Sequence, residues 1–227
     1  MFYEKNEPEI NKNLDFSVER EFHQIKILAI LRTSLPKFSR DFKSLTPMNR
    51  NTDFENYISH ELCFFFDNNV LETSYLFVFQ AFGPDIQVRQ IGDAIHSSAL
   101  FLIEAKRLPC TNLTNDYVST GIGRFRNEKH GKQYDIAIML GYVQEKDFNH
   151  WHNKVNFWIN TLIPDENENP RWAADEQLSK VQITEIGEYI SKHCRITKKP
   201  ITLYHFWLNF CNSKLIAKKY RGQVFRG

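Results

Sequence analysis

The spacing of apolar residues in the first third of the chain is typical of helices. Between residues 17 and 36 they recur every three or four positions, which predicts an amphipathic helix that begins at a Ser17 cap and ends before Pro36. The polar residues 37–50 are interpreted as a connection, and a second helix is expected from about residue 52 to 67. The expected buried positions of the two helices are Val18, Phe22, Ile25, Leu28 and Ala29, and then Phe54, Tyr57, Ile58, Leu62 and Phe65.

Shorter apolar runs, rich in aromatic and β-branched residues, predict strands at 75–82, 86–88, 99–108, 134–143, 181–184 and 201–210. Between them we expect a weak helix from about 112 to 125, a long helix that begins at Asp147, and a further helical segment at 171–180. A strand, a helix and a strand in succession form a right-handed crossover. The strand at 134–143 should therefore lie parallel to the strand at 99–108.

The composition is that of an ordinary globular protein, with 42% hydrophobic and 25% charged residues in 227. This length predicts one α/β domain over residues 1–227, with residues 1–13 as a flexible arm. No apolar run is long enough for a membrane span, and the N-terminal residues do not resemble a signal peptide. The four cysteines lack CxxC spacing, which argues against a zinc site or a disulfide framework. We therefore expect a cytoplasmic protein with no membrane partner.

The strand at 99–108 places two opposite charges at the end of an apolar run. Alternation along a strand puts Leu102, Glu104 and Lys106 on one face, and Phe101 and Ile103 on the other. Burying such charges is costly unless they are paired or bind a metal ion. The simpler alternative is a structural Glu–Lys salt bridge at a strand end.

Pro84-Asp85, a spacer and Glu104-Ala105-Lys106 together resemble the PD-(D/E)xK, or restriction-endonuclease-like, nuclease superfamily. A second match to the three-residue element, at residues 41–43, has no apolar strand before it. The resemblance implies a restriction-endonuclease-like core over about residues 52–143. This core would be a central mixed β-sheet flanked by helices, with N-terminal helices and C-terminal strands added.

The resemblance also implies an active site that binds Mg²⁺, for which Mn²⁺ can substitute. Asp85, Glu104 and the Ala105 carbonyl would be metal ligands, because hard oxygen donors suit this ion. Lys106 would orient the attacking water and stabilise negative charge. In this superfamily a helix ahead of the sheet often supplies a further acid, and Glu55 suits that role best.

Two positions have competing candidates. Glu61 is the second candidate for the helix-borne acid, and either glutamate could instead be an exposed surface residue. Asp93 competes with Asp85 as the first carboxylate. Because the neighbours of Asp93 are typical of a turn, where Asp forms local hydrogen bonds, Asp85 is preferred.

Basic residues follow the proposed site and could contact phosphates, although solvated helix faces explain them equally well. From residue 195 to 227 there are eight Lys or Arg and no acid. His193 and Arg195 are further candidates for the substrate side, with a structural role as the alternative. The predicted nucleic-acid contacts are Arg107, Arg124, Arg126, Lys129 and Lys132.

The expected function is therefore a Mg²⁺-dependent nuclease that hydrolyses phosphodiester bonds of DNA, with RNA as the alternative substrate. By analogy it would be an endonuclease subunit or effector of a prokaryotic restriction or phage-defence system, with a protein partner in a larger complex. One competing hypothesis is an inactive protein of the same fold that binds nucleic acid or serves as an assembly subunit. Another is an interaction module whose aromatic surface binds a partner protein.

Overall fold

A computed structural model describes residues 12–45, 54–69, 74–80, 83–92, 99–108 and 115–211. The helices are α1 (Lys12–Leu45), α2 (Phe54–Asn69), α3 (Gly123–Arg126) and α4 (Phe148–Leu162), with a π-helical turn at Tyr117–Ile122 and a 3₁₀ turn at Ala174–Glu176. The strands are β1 (Tyr75–Phe79), β2 (Ile86–Gln90), β3 (Phe101–Leu108), β4 (Ile136–Val143), β5 (Ser179–Ile183), β6 (Ile186–Cys194) and β7 (Pro200–Asn209).

The strands form one seven-stranded mixed sheet in the order β1-β2-β3-β4-β7-β6-β5. The pairs β3–β4 and β4–β7 are parallel, and the other neighbours are antiparallel. The predicted α/β class and mixed sheet flanked by helices are therefore confirmed. The predicted parallel crossover from β3 to β4 is confirmed as well.

Each face of the sheet carries its own apolar core, and β3 contributes to both. Phe101, Ile103 and Ala105 belong to the core formed with α1 and α2. Leu102 and Leu108 belong to the core formed with the π-helical turn and α4. The alternation predicted for β3 is thus confirmed, and it leaves Glu104 and Lys106 within a strand that is buried on both faces.

Helix α1 differs from the prediction at both ends. It begins at Lys12, so residues 12 and 13 of the predicted arm are helical, whereas residues 1–11 lie outside the described part. Pro36 lies inside the helix, and the predicted connection at 37–50 is wrong as far as Leu45. A proline removes one hydrogen bond. The helix continues because Phe38 and Phe42 are buried against Phe210, with ring centroids 6.5 and 5.5 Å apart.

The buried face of α1 was predicted correctly only in part. Leu28 is buried as predicted, but Phe22 and Ile25 are 53% and 61% exposed. Ile27, Leu31 and Leu35, which were not predicted, are fully buried. A long helix with apolar residues on two faces can bury either one. Tertiary packing against α2 and the sheet, which the local sequence does not encode, selects the second face.

Two further elements depart from the predictions. Residues 171–180 contain a 3₁₀ turn and the start of β5 instead of a helix, and strand β6 was not predicted. The sequence of β6 mixes polar and apolar residues and therefore lacks a clear strand pattern. Some of its polar side chains can be buried because they pair with residues distant in the sequence. Glu188, for example, is fully buried and accepts a hydrogen bond from Arg32 Nη2 at 2.6 Å.

None of the helices in the described ranges combines the length and apolarity that a membrane crossing requires.

The new assignment of the α1 face predicts unequal effects of two matched substitutions. Phe38→Ala should lower the free energy of unfolding by about 3–5 kcal/mol, because it leaves a cavity in the core. Phe22→Ala, in the same helix, should change it by less than about 0.5 kcal/mol. Urea unfolding of both variants checks this, and a larger loss for Phe22→Ala would contradict the assignment.

Candidate active site

The site forms where β2 and β3 separate. Pairing of these strands ends at Ile86 and Ile103, and β3 continues to Leu108 with no strand of the described residues paired on that side. Two acids satisfy the backbone N–H groups that this fork leaves open. Ala105 N donates to Asp85 Oδ2 at 2.6 Å, and Arg107 N donates to Glu55 Oε2 at 2.9 Å.

Lys106 connects these acids to Glu104. Its Nζ lies 2.8 Å from Glu104 Oε1 and 3.1 Å from Glu55 Oε1, and it donates to the Ala105 carbonyl oxygen at 2.7 Å. The Glu104 side chain is fully buried and that of Lys106 is 8% exposed. Burial alone would lower the pKa of Lys106, but the charges of Glu104, Glu55 and Asp85 raise it overall. The ammonium is therefore charged at neutral pH.

Glu104 has two further partners from the segment that crosses from β3 to β4. Arg124 Nη1 contacts its Oε1, and His130 Nδ1 lies 3.1 Å from its Oε2. Burial alone would raise the pKa of Glu104, but the His130 hydrogen bond and the charge of Lys106 hold it below the ordinary value. Glu104 is consequently a carboxylate at neutral pH.

Asp85 has a different electrostatic environment from that of Glu104. Burial, and secondly the charge of Glu104, raise its pKa to about 6, and Lys106 and the Ala105 N–H offset this only in part. Within the described ranges no basic side chain forms an ion pair with Asp85. The charge of Glu104 is therefore well compensated by neighbouring groups, whereas the neighbouring Asp85 lacks an ion-pair partner of its own among the described residues.

The π-helical turn packs close to Lys106 because residue 121 is glycine. A Cβ at Gly121 would lie 2.6 Å from Met139 Cε and 3.3 Å from Lys106 Cγ. Within the described residues, the weak helix predicted here starts at its Asp116 cap and consists of the π-helical turn followed by α3. Single π-helical turns are frequent at functional sites.

A buried chain of hydrogen bonds fixes the start of this turn to the sheet. Trp207 Nε1 donates to the Tyr117 hydroxyl at 2.8 Å, which is 2.8 Å from His205 Nδ1. The Ser191 hydroxyl lies 2.7 Å from the Nε2 atoms of both His205 and His193. All five side chains are buried.

The far end of this chain lies beside Glu176 but is not hydrogen-bonded to it. His193 Nδ1 lies 3.6 Å from Glu176 Oε2, and neither atom has a hydrogen-bond partner among the described residues. Burial alone would raise the pKa of Glu176, but the neighbouring His193 and the backbone N–H of Cys194 lower it, so this residue is a carboxylate at neutral pH. Both histidines are neutral, in agreement with the lowering of their pKa values by burial.

The structure brings together the four predicted central residues, namely Glu55, Asp85, Glu104 and Lys106, with the Ala105 carbonyl among them. Glu61 also lies on α2, half-buried, whereas Asp93 lies outside the described residues.

The predicted phosphate contacts separate into three groups. Arg124 lies in the site, and Arg107 contributes its backbone N–H there. Lys129 and Lys132 are exposed. Arg126 is buried, stacks on Trp172 at 3.6 Å and lies 3.2 Å from Glu176. It is therefore not accessible to a phosphate, and we remove it from the predicted interface.

The C-terminal candidates are structural as well. Arg195 is 1% exposed, and its guanidinium donates to the carbonyl oxygens of Gly131, Lys132 and Tyr134. His193 belongs to the buried chain described above. Neither side chain reaches the surface, so neither faces a substrate. The basic residues beyond position 211 lie outside the described residues.

Sequence reasoning missed His130, which contacts Glu104 directly. The available signal was a histidine next to Gly131, at the end of a basic segment. Gly131 has a φ of 70°, a left-handed turn that favours glycine and directs the chain back towards β3.

The donor atoms are chemically suited to a hard cation. Carboxylate and carbonyl oxygens are the ligands that Mg²⁺ prefers. In the part of the chain that the structure describes, no group of three His, Cys, Asp or Glu side chains is arranged to hold a metal ion. The Lys106 ammonium instead lies among oxygens of Glu104, Glu55 and Ala105, where its charge takes the place of a metal ion. The residues thus fit a metal ion by chemistry, with Lys106 as its competitor.

Comparison of the chain with protein-family models, curated proteins and solved structures gave no match.

The opposite pKa shifts of the two neighbouring acids predict opposite effects on stability. Asp85 has a pKa of about 6, above its ordinary 3.8, so its ionisation destabilises the folded state as the pH rises through this interval. Asp85→Asn should therefore raise the free energy of unfolding by roughly 1–3 kcal/mol at about pH 7.5, and by little near pH 4.

Glu104→Gln should instead lower the free energy of unfolding by roughly 2–4 kcal/mol at about pH 7.5, because it removes a carboxylate partner of the buried Lys106 ammonium. The lowered pKa of Glu104 contributes stability that is lost as the pH falls through that pKa. Urea unfolding at several pH values measures both variants. The same sign for both at neutral pH would contradict this description of the site.

Proposed function

We propose that this protein is a Mg²⁺-dependent nuclease that hydrolyses phosphodiester bonds of DNA. The observation that supports this most strongly is the convergence of Asp85, Glu104 and Lys106 with Glu55, because these residues come from three separate elements. A salt bridge for stability alone would not require three acids around one lysine, since buried pairs give little net stability.

The order of elements supports a restriction-endonuclease-like core. Helix α2 precedes the antiparallel strands β1, β2 and β3, and a helical crossover then leads to the parallel strand β4. Asp85 directly precedes β2 and Glu104 lies on β3, as the superfamily resemblance implies. A role as endonuclease subunit or effector of a prokaryotic restriction or defence system, with a protein partner, rests on the resemblance alone.

In this proposal each residue has a distinct role. Asp85, Glu104, the Ala105 carbonyl and Glu55 would hold the ion. Bound Mg²⁺ would polarise the scissile phosphate and lower the pKa of the attacking water. Lys106 would orient that water and stabilise the charge that develops on the phosphate. Arg124, whose side chain is 39% exposed beside Glu104, would contact the substrate backbone.

One observation favours the alternative, an inactive protein of this fold that binds nucleic acid or serves as an assembly subunit. The Glu104 carboxylate already contacts Lys106, Arg124 and His130. This arrangement balances its charge without an ion. The two hypotheses differ in whether a metal ion can displace the lysine.

Nicking of supercoiled plasmid tests the hydrolase directly. Wild-type protein with Mg²⁺ or Mn²⁺ should nick the plasmid, and EDTA should abolish the reaction. Lys106→Met and Glu104→Gln should each lower the rate by about a hundredfold or more, because they remove charge stabilisation and a ligand. Lys180→Gln, on the exposed strand β5, is the matched control and should retain full activity. Nicking that survives Lys106→Met would exclude the proposed site.

A binding measurement without substrate separates the two hypotheses. If an ion binds at Asp85 and Glu104, MgCl₂ at a hundredfold excess over its dissociation constant should stabilise the wild type by about 2.7 kcal/mol. Asp85→Asn should show a much smaller effect, because it lacks the carboxylate ligand. Equal thermal shifts in the two proteins, or no shift in the wild type, would favour the inactive alternative.

A further inference from the structure

An open cleft with a volume of about 390 Å³ lies beside the acidic cluster. Its polar lining comes from β2 and from the loop between α3 and β4. No Asp or Glu occurs among the lining residues that the structure describes. The polar lining residues are Gln87, Arg89, Lys129, His130, Gln133 and Tyr134.

The cleft and the acidic cluster share a wall. His130 lines the cleft and also contacts Glu104 Oε2 at 3.1 Å. Gly83 and Pro84, which directly precede Asp85, form part of the rim. A positively charged cleft therefore opens next to a cluster of carboxylates, and a single ligand with several phosphates could contact both.

Helix α1 places a further cation next to Tyr134, one of the residues that line the cleft. The Arg20 guanidinium lies over the ring of Tyr134 at 4.6 Å, but Arg20 is not a lining residue and its Nη2 atom is buried. Arg89, which donates to Gln87 Oε1 at 2.7 Å, lines the cleft together with Lys129. These two lining cations favour an anionic ligand.

We propose that this cleft binds the nucleotide next to the scissile phosphodiester, with Arg89 and Lys129 around its phosphate. The inference rests on the proposed nuclease function and adds a substrate-binding subsite to it. The volume lies near the lower end of the roughly 300–1,000 Å³ typical of ligand sites. This size suits one nucleotide of a single strand.

Binding of a short fluorescein-labelled single-stranded oligodeoxynucleotide, measured by anisotropy in EDTA over a range of salt concentrations, tests the subsite without cleavage. Lys129→Gln should weaken binding about three- to tenfold and make the salt slope less negative by about 0.7, as expected for one lost phosphate contact. Arg89→Gln should weaken binding in the same direction, because Arg89 also lines the cleft. Thermal melting verifies that each variant is folded.

Lys180→Gln is the matched control. Lys180 is an exposed lysine on β5, at the sheet edge opposite β1 and β2, and it does not line the cleft, so its replacement should leave affinity within about twofold. Equal losses for Lys129→Gln and Lys180→Gln would overturn the subsite, as would no loss for Lys129→Gln. Lys129 is exposed, and its replacement does not threaten folding.

The outcomes also separate this inference from the nuclease proposal. If Lys129→Gln selectively weakens oligonucleotide binding but the wild-type protein never nicks plasmid, the cleft is supported and the hydrolase is overturned. Metal-dependent nicking with unchanged affinity in Lys129→Gln would overturn the cleft alone.

Discussion

The central constraint in this structure is the backbone hydrogen bonding of β3 beyond the fork with β2. A buried N–H group without an acceptor costs about as much as a lost hydrogen bond. At Ala105 and Arg107 the missing strand is replaced by the carboxylates of Asp85 and Glu55. The same requirement that completes the strand edge therefore gathers acids from a turn and a helix. Glu104 and Lys106 lie on the strand between them.

Once these acids are gathered, their charge must be compensated. Lys106 alone cannot neutralise three carboxylates. Arg124 supplies further positive charge to Glu104, and His130 Nδ1 lies within hydrogen-bond distance of the same carboxylate. Asp85 receives the least compensation, which explains why its pKa rises to about 6 while that of its neighbour falls. An added cation would therefore gain most of its interaction energy at Asp85. This asymmetry links the electrostatics of the fold to the proposed metal chemistry.

Local sequence patterns correctly predicted the elements that are stabilised mainly by their own residues. The apolar run of β3, the crossover to β4 and helix α4 with its Asp147 cap are of this kind. The patterns failed where contacts between residues distant in the sequence determine the secondary structure. This is the case in α1 beyond Pro36 and in β6, whose Glu188 pairs with a residue 156 positions away. The acids of the site were predicted from motif resemblance, because spacing alone cannot show that residues 55 and 106 meet. His130 was missed because its role depends on the turn at Gly131.

The acidic cluster and the buried chain through Tyr117 depend on each other through one π-helical turn. Tyr117, at the start of the turn, is fixed to β7 by Trp207 and His205. Four residues later, Gly121 lies against the stem of Lys106. The hydrogen bonds from Tyr117 to Trp207 and His205 hold its hydroxyl against β7 and limit movement of the turn. The position of the Lys106 ammonium among the carboxylates is thus determined by both faces of the sheet.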